Sequence, residues 1–404
     1  MKRILIIVIL SFFGMTVFAQ DMSYFMNDFM KEDTTPEDRL LILETVRDEG
    51  LTGIGEFYHN ALKYLYVRLS DIKTKTEQDA LEKSAVILCQ GLGAEKYTEA
   101  APELWQTVDY FDIVRIANQG NAMQAALIAL GQVNGIDYLP AIIQRLNQYN
   151  MQTFRDEAKL RVQMAVVGCI SAIEALKDIS GYMPVFYVYT GSYDTDVKQI
   201  AYNALPNISD DPAEVTIIII QEPSNDPYVK FEAWKELLRT KAPDSSKAKA
   251  AVAAIATSWN YATSNRSYLA TLGEMRKSAI DIVRQCGAAD NIVYEYLDRS
   301  FSNSFNTREP DYEEMILSLN ALAALKSDEA VGLLLKYLRE LHSRRRIGPW
   351  EDKERRVFQW LISCLEFTGT KSSDVRLMLN TIQRTADYTP FEQGLARNAL
   401  AKLN

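Results

Sequence analysis

The chain has 404 residues, 48% of them hydrophobic and 24% charged, with a net charge of −9. Those proportions belong to a folded globular protein and exclude a disordered or low-complexity chain. The acidic balance argues against general nucleic-acid binding, which calls for a basic face.

The first predicted element is a leader. Lys2 and Arg3 precede the apolar run Ile4–Phe13, and Val17-Phe18-Ala19 places small residues where a signal peptidase reads. This pattern predicts a secretory signal over 1–19, cut after Ala19, and a periplasmic or secreted chain. No Cys follows the cut, so no lipid anchor is expected. No later apolar run approaches the roughly 20 residues of a membrane span, so no transmembrane segment is expected after cleavage. Residues 20–35 come next. Met22, Phe25, Met26, Phe29 and Met30 recur there at helical spacing, as in a helix that caps the first repeat or, alternatively, offers a docking face.

From residue 36 onward the chain repeats itself. Val197, Ile200, Ala201, Ala204 and Leu205 share one helical face. Met275, Ala279, Ile282, Val283 and Cys286 share another, and Val357, Trp360, Leu361, Cys364 and Leu365 a third. Each stripe closes on a small or apolar pair. Ten such pairs run from Thr45/Val46 through Ala129/Leu130 and Ala204/Leu205 to Ala399/Leu400, with a mean step of about 39 residues, the length of a two-helix repeat. The sequence therefore predicts an all-α chain, a single α-solenoid over 20–404 with about nine to ten two-helix repeats, elongated because each repeat buries its apolar face only on its neighbours. Two β-rich stretches, Val215–Ile220 and Tyr182–Tyr193, are read as short helices inside that stack. Pro212 and Pro223 bound the first of them.

Three segments carry a family resemblance. Asp196-Val197-Lys198-Gln199-Ile200-Ala201-Tyr202-Asn203-Ala204-Leu205 resembles the second helix of a HEAT repeat, entered through a capping Asp. Asp226-Pro227-Tyr228-Val229-Lys230 is similar at the next repeat, with Pro at the first helical turn, and Asp374-Val375-Arg376 is a further match nearer a first helix. The chain is thus similar to the HEAT/armadillo-like helical repeat family, in an exported, periplasmic form. The resemblance covers most of 36–404, and it implies a long concave face of the kind that holds proteins or peptides.

Catalytic chemistry finds little support in the sequence. There are two histidines, His59 and His342. Glu56-Phe57-Tyr58-His59 has the Glu-x-x-His spacing of helical di-iron sites, but no second copy exists, so no metal is expected. Gly50, Gly53 and Gly55, and the pair Gly91/Gly93, read as helix terminators and not as phosphate loops. Asp194-Thr195-Asp196 reads as helix capping and not as a fragment of a calcium loop. Cys89, Cys169, Cys286 and Cys364 all fall on core stripes about two or more repeats apart, which predicts four free thiols.

A basic island remains. Lys336, Arg339, Arg344, Arg345, Arg346, Lys353, Arg355 and Arg356 cluster around Trp350. Gly348-Pro349 interrupts any helix there, so Arg344–Trp350 is expected to be a loop, with its guanidiniums and the indole offered to an acidic surface or an anionic headgroup. These features predict a non-catalytic periplasmic scaffold or adaptor for a protein partner, with no cofactor, metal or nucleic acid. The alternatives are an enzyme of the HEAT-like lyase kind using the concave groove, and a module that binds an anionic envelope component through the basic loop.

Overall fold

The structure is a computed structural model that describes residues 22–112, 120–307 and 309–403, apart from the side chains of 71 and 157. The leader expected at 1–19 lies outside those residues. Every longer regular element among them is an α-helix, and no strand occurs there. The chain divides into two compact units, Met1–Ser209 and Asp210–Asn404.

The first unit holds α1 (22–30), α2 (Pro36–Asp48), α3 (Gly55–Val67), α4 (Lys75–Ala94), α5 (Ala101–Tyr110), α6 (Asn121–Gln132), α7 (Leu139–Asn150), α8 (Asp156–Leu176), α9 (Tyr182–Thr190) and α10 (Thr195–Ile208). Local chemistry sets these boundaries. Thr35 accepts from the Asp38 amide with Pro36 in the first turn. Thr74 and Glu77 form a reciprocal capping box at α4. Gly50 ends α2 at φ +63°, donating to the Arg47 carbonyl, as a terminating glycine should. Gly91 and Gly93, in contrast, are not terminators. They lie inside α4, and a Cβ at Gly91 would sit 2.5 Å from the Tyr58 ring, so that glycine makes room for a neighbour. Asp196 is not the cap of α10 either. Asp194 occupies that position in extended conformation, and Asp196 follows in the first turn, where its charge still favours the helix N-terminus.

The even helices α2, α4, α6, α8 and α10 pack each upon the next and form one layer; the odd helices lie against them in a looser second layer. The close packing of the even layer follows from small residues. A Cβ on Gly131 of α6 would stand 2.9 Å from the Ala172 Cα of α8, and one on Gly168 of α8 would stand 3.1 Å from the Gln124 Cα of α6. Helix α1 begins the odd layer. Its Phe29 is fully buried, with ring centroids 6.5 Å from Phe57 and 6.2 Å from Tyr64. Arg39 Nε donates to the Phe29 carbonyl at 3.0 Å and Tyr64 Oη to the Met30 carbonyl at 2.7 Å, satisfying carbonyls that the end of α1 leaves without helical partners.

The second unit repeats the plan with α11 (Ala213–Gln221), α12 (Pro227–Arg239), α13 (Asp244–Asn260), α14 (Arg266–Cys286), α15 (Ile292–Asn306), α16 (Tyr312–Leu325), α17 (Asp328–Ile347), α18 (Asp352–Thr368), α19 (Ser373–Arg384) and α20 (Pro390–Lys402). Here α12 through α20 form the even layer. Of the β-rich stretches, Val215–Ile220 lies wholly within helix α11, and Tyr182–Tyr193 is helical as α9 up to Thr190, with 191–193 in the loop that follows. Asp226 caps α12 by accepting from the Val229 amide, with Pro227 behind it.

All ten sequence pairs, from Thr45/Val46 to Ala399/Leu400, fall on the ten even helices, one on each. The side-chain hydrogen bonds that tie one repeat to the next mostly join residues 33 to 48 positions apart. The fold is therefore an all-α repeat stack of the α-solenoid class. Among the described residues, no helix is long and apolar enough to cross a membrane.

Candidate binding surface

The basic island does not form the predicted loop. Helix α17 continues to Ile347, so Arg344, Arg345 and Arg346 occupy its last turn, where cations suit the exposed carbonyl end. Gly348 and Pro349 stop the helix only after that turn. Trp350 is not an exposed anchor: it is 5% exposed and its Nε1 donates to the Leu341 carbonyl at 3.0 Å. Its ring packs 4.7 Å from Phe358 and 5.5 Å from Tyr388.

Most of the basic side chains already have partners. Arg344 pairs with Glu340 at 2.7 Å and Glu354 at 3.3 Å. Lys336 pairs with Asp298 and Arg339 with Asp374, both at 2.8 Å. Arg355 lies 3.9 Å from buried Glu392, and Lys353 donates to the Phe305 carbonyl at 2.8 Å. Arg345 lies 5.5 Å from the Trp350 ring centroid and Arg356 5.8 Å from that of Tyr312. Arg346 is exposed. The N-terminal group is also largely committed: Phe29 is core, Met22, Phe25 and Met26 are half-buried, and only Met30 is exposed.

The candidate reactive groups sit in inward-facing contacts. His59 is buried, with Nε2 2.9 Å from Glu103 Oε2, and His342 Nδ1 lies 2.8 Å from Tyr388 Oη. Burial, and after it the nearby Arg346, holds His342 below its ordinary value. All four cysteines are free thiols. Burial pushes Cys89, Cys169 and Cys364 up to about 12, which suppresses thiolate chemistry at neutral pH. Cys286 departs from the expected core position: it is half-exposed at the end of α14. Among the described residues no group of three or more His, Cys, Asp or Glu is placed to hold a metal ion.

Two depressions lie on the even layer. In the first unit a depression of about 410 Å³ crosses three successive even helices, lined by Glu44 and Arg47 of α2, Asp79, Glu82 and Lys83 of α4, and Asn121 of α6. In the second unit a depression of about 290 Å³ does the same, from Arg284 of α14 across Asn320, Ala323 and Ala324 of α16 to Trp360, Cys364 and Phe367 of α18. Trp360 is 41% exposed and Phe367 62%. The two small alanines line the same depression as these large rings. Trp360 Nε1 donates to Asn320 Oδ1 at 3.0 Å, which fixes the indole, and Lys326 Nζ lies 4.9 Å from the Phe367 centroid. Sequence reasoning placed Trp360 in the core stripe. The signal it missed is the i, i+3, i+7 face Trp360–Ser363–Phe367, which adjoins the buried stripe and points away from it.

No protein-family model and no curated protein matches this chain.

Proposed function

We propose that this protein is a non-catalytic scaffold or adaptor that holds an extended segment of a partner protein along the even helices of its second unit. The observation that carries this reading is the exposed Trp360–Phe367 pair, with its indole pinned by Asn320 and small residues facing it. Exposed aromatic side chains with restricted rotamers are the anchors that dominate protein interfaces, and a row of parallel helices gives a bound segment regularly spaced contacts. The occupied histidines and the suppressed thiols support a binding role over a catalytic one. The HEAT/armadillo resemblance belongs to the same proposal, as do the leader at 1–19 and export to a periplasm or the cell exterior. N-terminal sequencing of protein recovered from its native cell should then begin at Gln20.

The test is quantitative capture of partners from the native envelope by wild type, by a Trp360→Ala/Phe367→Ala double variant, and by Leu377→Ala, a control on the exposed face of an odd helix. One stoichiometric protein should appear with wild type and the control and fall at least tenfold with the double variant, about 1.4 kcal/mol or more. Equal recovery on all three overturns this site.

A further inference from the structure

The depression that holds Trp360 and Phe367 interrupts a ladder of ion pairs between α14 and α16. Earlier on these helices, Arg276 meets Glu314 at 2.6 Å and Lys277 meets Glu313 at 2.7 Å. About two turns further along α14 stands Arg284, where the same pairing would continue. The α16 side chains that line the depression with it are Asn320, Ala323 and Ala324, and none is a carboxylate. Arg284 Nε donates to Asp281 of its own helix at 2.8 Å, and that carboxylate also accepts from Gln285. The two terminal nitrogens of Arg284 have no partner among the described residues. At the other edge, Lys326 lies over the Phe367 ring and meets no carboxylate among the described residues.

The hydrogen-bonding groups are one-sided as well. An indole N–H only donates, so the Asn320 atom that faces Trp360 is its oxygen, and the amide nitrogen is left over. That nitrogen has no partner among the described residues. The Ser363 hydroxyl is turned back to the Gln359 carbonyl of its own helix. Three side chains in and beside the depression therefore keep free nitrogens. All of these nitrogens are donors, and two of the three residues are cations.

A segment that fits must bring acceptors, negative charge and an apolar body. The way from α14 to α18 is two helix spacings of about 8–10 Å each. An extended segment, rising about 3.3 Å per residue, covers it in roughly five or six residues. We propose that the segment held at this site is acidic, with one carboxylate at the Arg284 edge, a second beside Lys326, and a large apolar side chain on the Trp360 ring. A backbone carbonyl of the segment takes the Asn320 Nδ2 donor. This assignment rests on the site proposed above and names the chemistry of its partner.

Fluorescence anisotropy on the full chain, at low and high salt, tests it. The probes are a labelled twelve-residue peptide with two Glu five positions apart and Leu and Phe between them, the same peptide with Gln or with Lys in place of both Glu, and a twelve-nucleotide oligothymidine as a polyanion without apolar side chains. The Glu peptide should bind wild type at least tenfold more tightly than any other probe. Arg284→Gln and Lys326→Gln should each weaken it threefold or more and flatten its salt dependence, at an unchanged melting temperature because both side chains are exposed. The assignment is overturned if the Gln or Lys peptide or the oligothymidine binds as tightly as the Glu peptide, if no probe binds, or if both charge variants bind the Glu peptide as wild type does. Equal binding of the Glu and Gln peptides that Trp360→Ala/Phe367→Ala abolishes removes the acidic partner and keeps the site. Glu-peptide binding that survives this double variant removes the aromatic site itself, and the assignment with it.

Discussion

The even layers of the two units keep one repeat length by different chemistry. Across α4, α6 and α8 the helices approach through glycine and alanine, and the glycines there are filled positions, with Ala172 or Gln124 backbone within 3.1 Å of where a Cβ would be. Across α12 to α18 the spacing is bridged by polar side chains. Trp234 Nε1 donates to Ser278 Oγ at 3.0 Å, Arg276 holds Glu314 through two bonds of 2.6 and 2.9 Å, and Trp360 reaches Asn320. Helical glycines in this second unit, Gly273, Gly332 and Gly394, have nothing within 4 Å of a built Cβ. The repeat period is thus not tied to one kind of contact. It constrains where a helix crosses its neighbour and leaves open whether van der Waals contact or paired charge fills the crossing.

The largest effect is expected at Glu314. It is almost fully buried, and its partner Arg276 also lies 4.0 Å from the Trp259 ring centroid. Glu314→Ala leaves that guanidinium inside without its anion, and denaturant unfolding of the second unit should show a loss of about 3–5 kcal/mol. A loss below about 1 kcal/mol would mean that the polar bridge is dispensable. Next in size is Gly131→Ala. The new methyl meets Ala172 backbone that cannot swing aside, so a loss of about 1–3 kcal/mol is expected despite the better helix propensity of alanine. The smallest effect has the opposite sign. Gly273→Ala meets open space inside α14, so chemical denaturation should show a gain of about 0.5–1 kcal/mol. If the two Gly→Ala substitutions shift stability in the same direction, the contrast between the two layers fails.

The sequence carried the fold further than it carried the surface. Ten small or apolar pairs marked the ten even helices because each helix must bury an apolar stripe against its neighbours, and burial restricts residue type along that stripe. The surface had no such constraint. Trp350 and Trp360 were assigned opposite roles from those they have. A helix stripe defines its centre by periodicity but not its edge, so Trp360, at the edge, read as core. Trp350 followed Gly348-Pro349 and read as loop, whereas its indole N–H reaches back to the Leu341 carbonyl of α17 and its ring packs inward against Phe358 and Tyr388. The arginine run misled for a related reason. Charge composition suits both an exposed loop and the last turn of a helix, and only the backbone distinguishes them.

The separation of the inter-repeat bonds has a kinetic consequence. Ties such as Arg145 to Asp112, 33 residues apart, and Trp360 to Asn320, 40 apart, close loops of one repeat and no more. Loop-closure entropy grows only logarithmically with loop length and is incurred here in small, equal instalments. Contact order is therefore low for chains of this size, which favours rapid growth from a local nucleus over a search for distant partners. Within each unit a helix pair can dock as soon as the pair before it exists, so assembly can keep pace with a chain that emerges from one end.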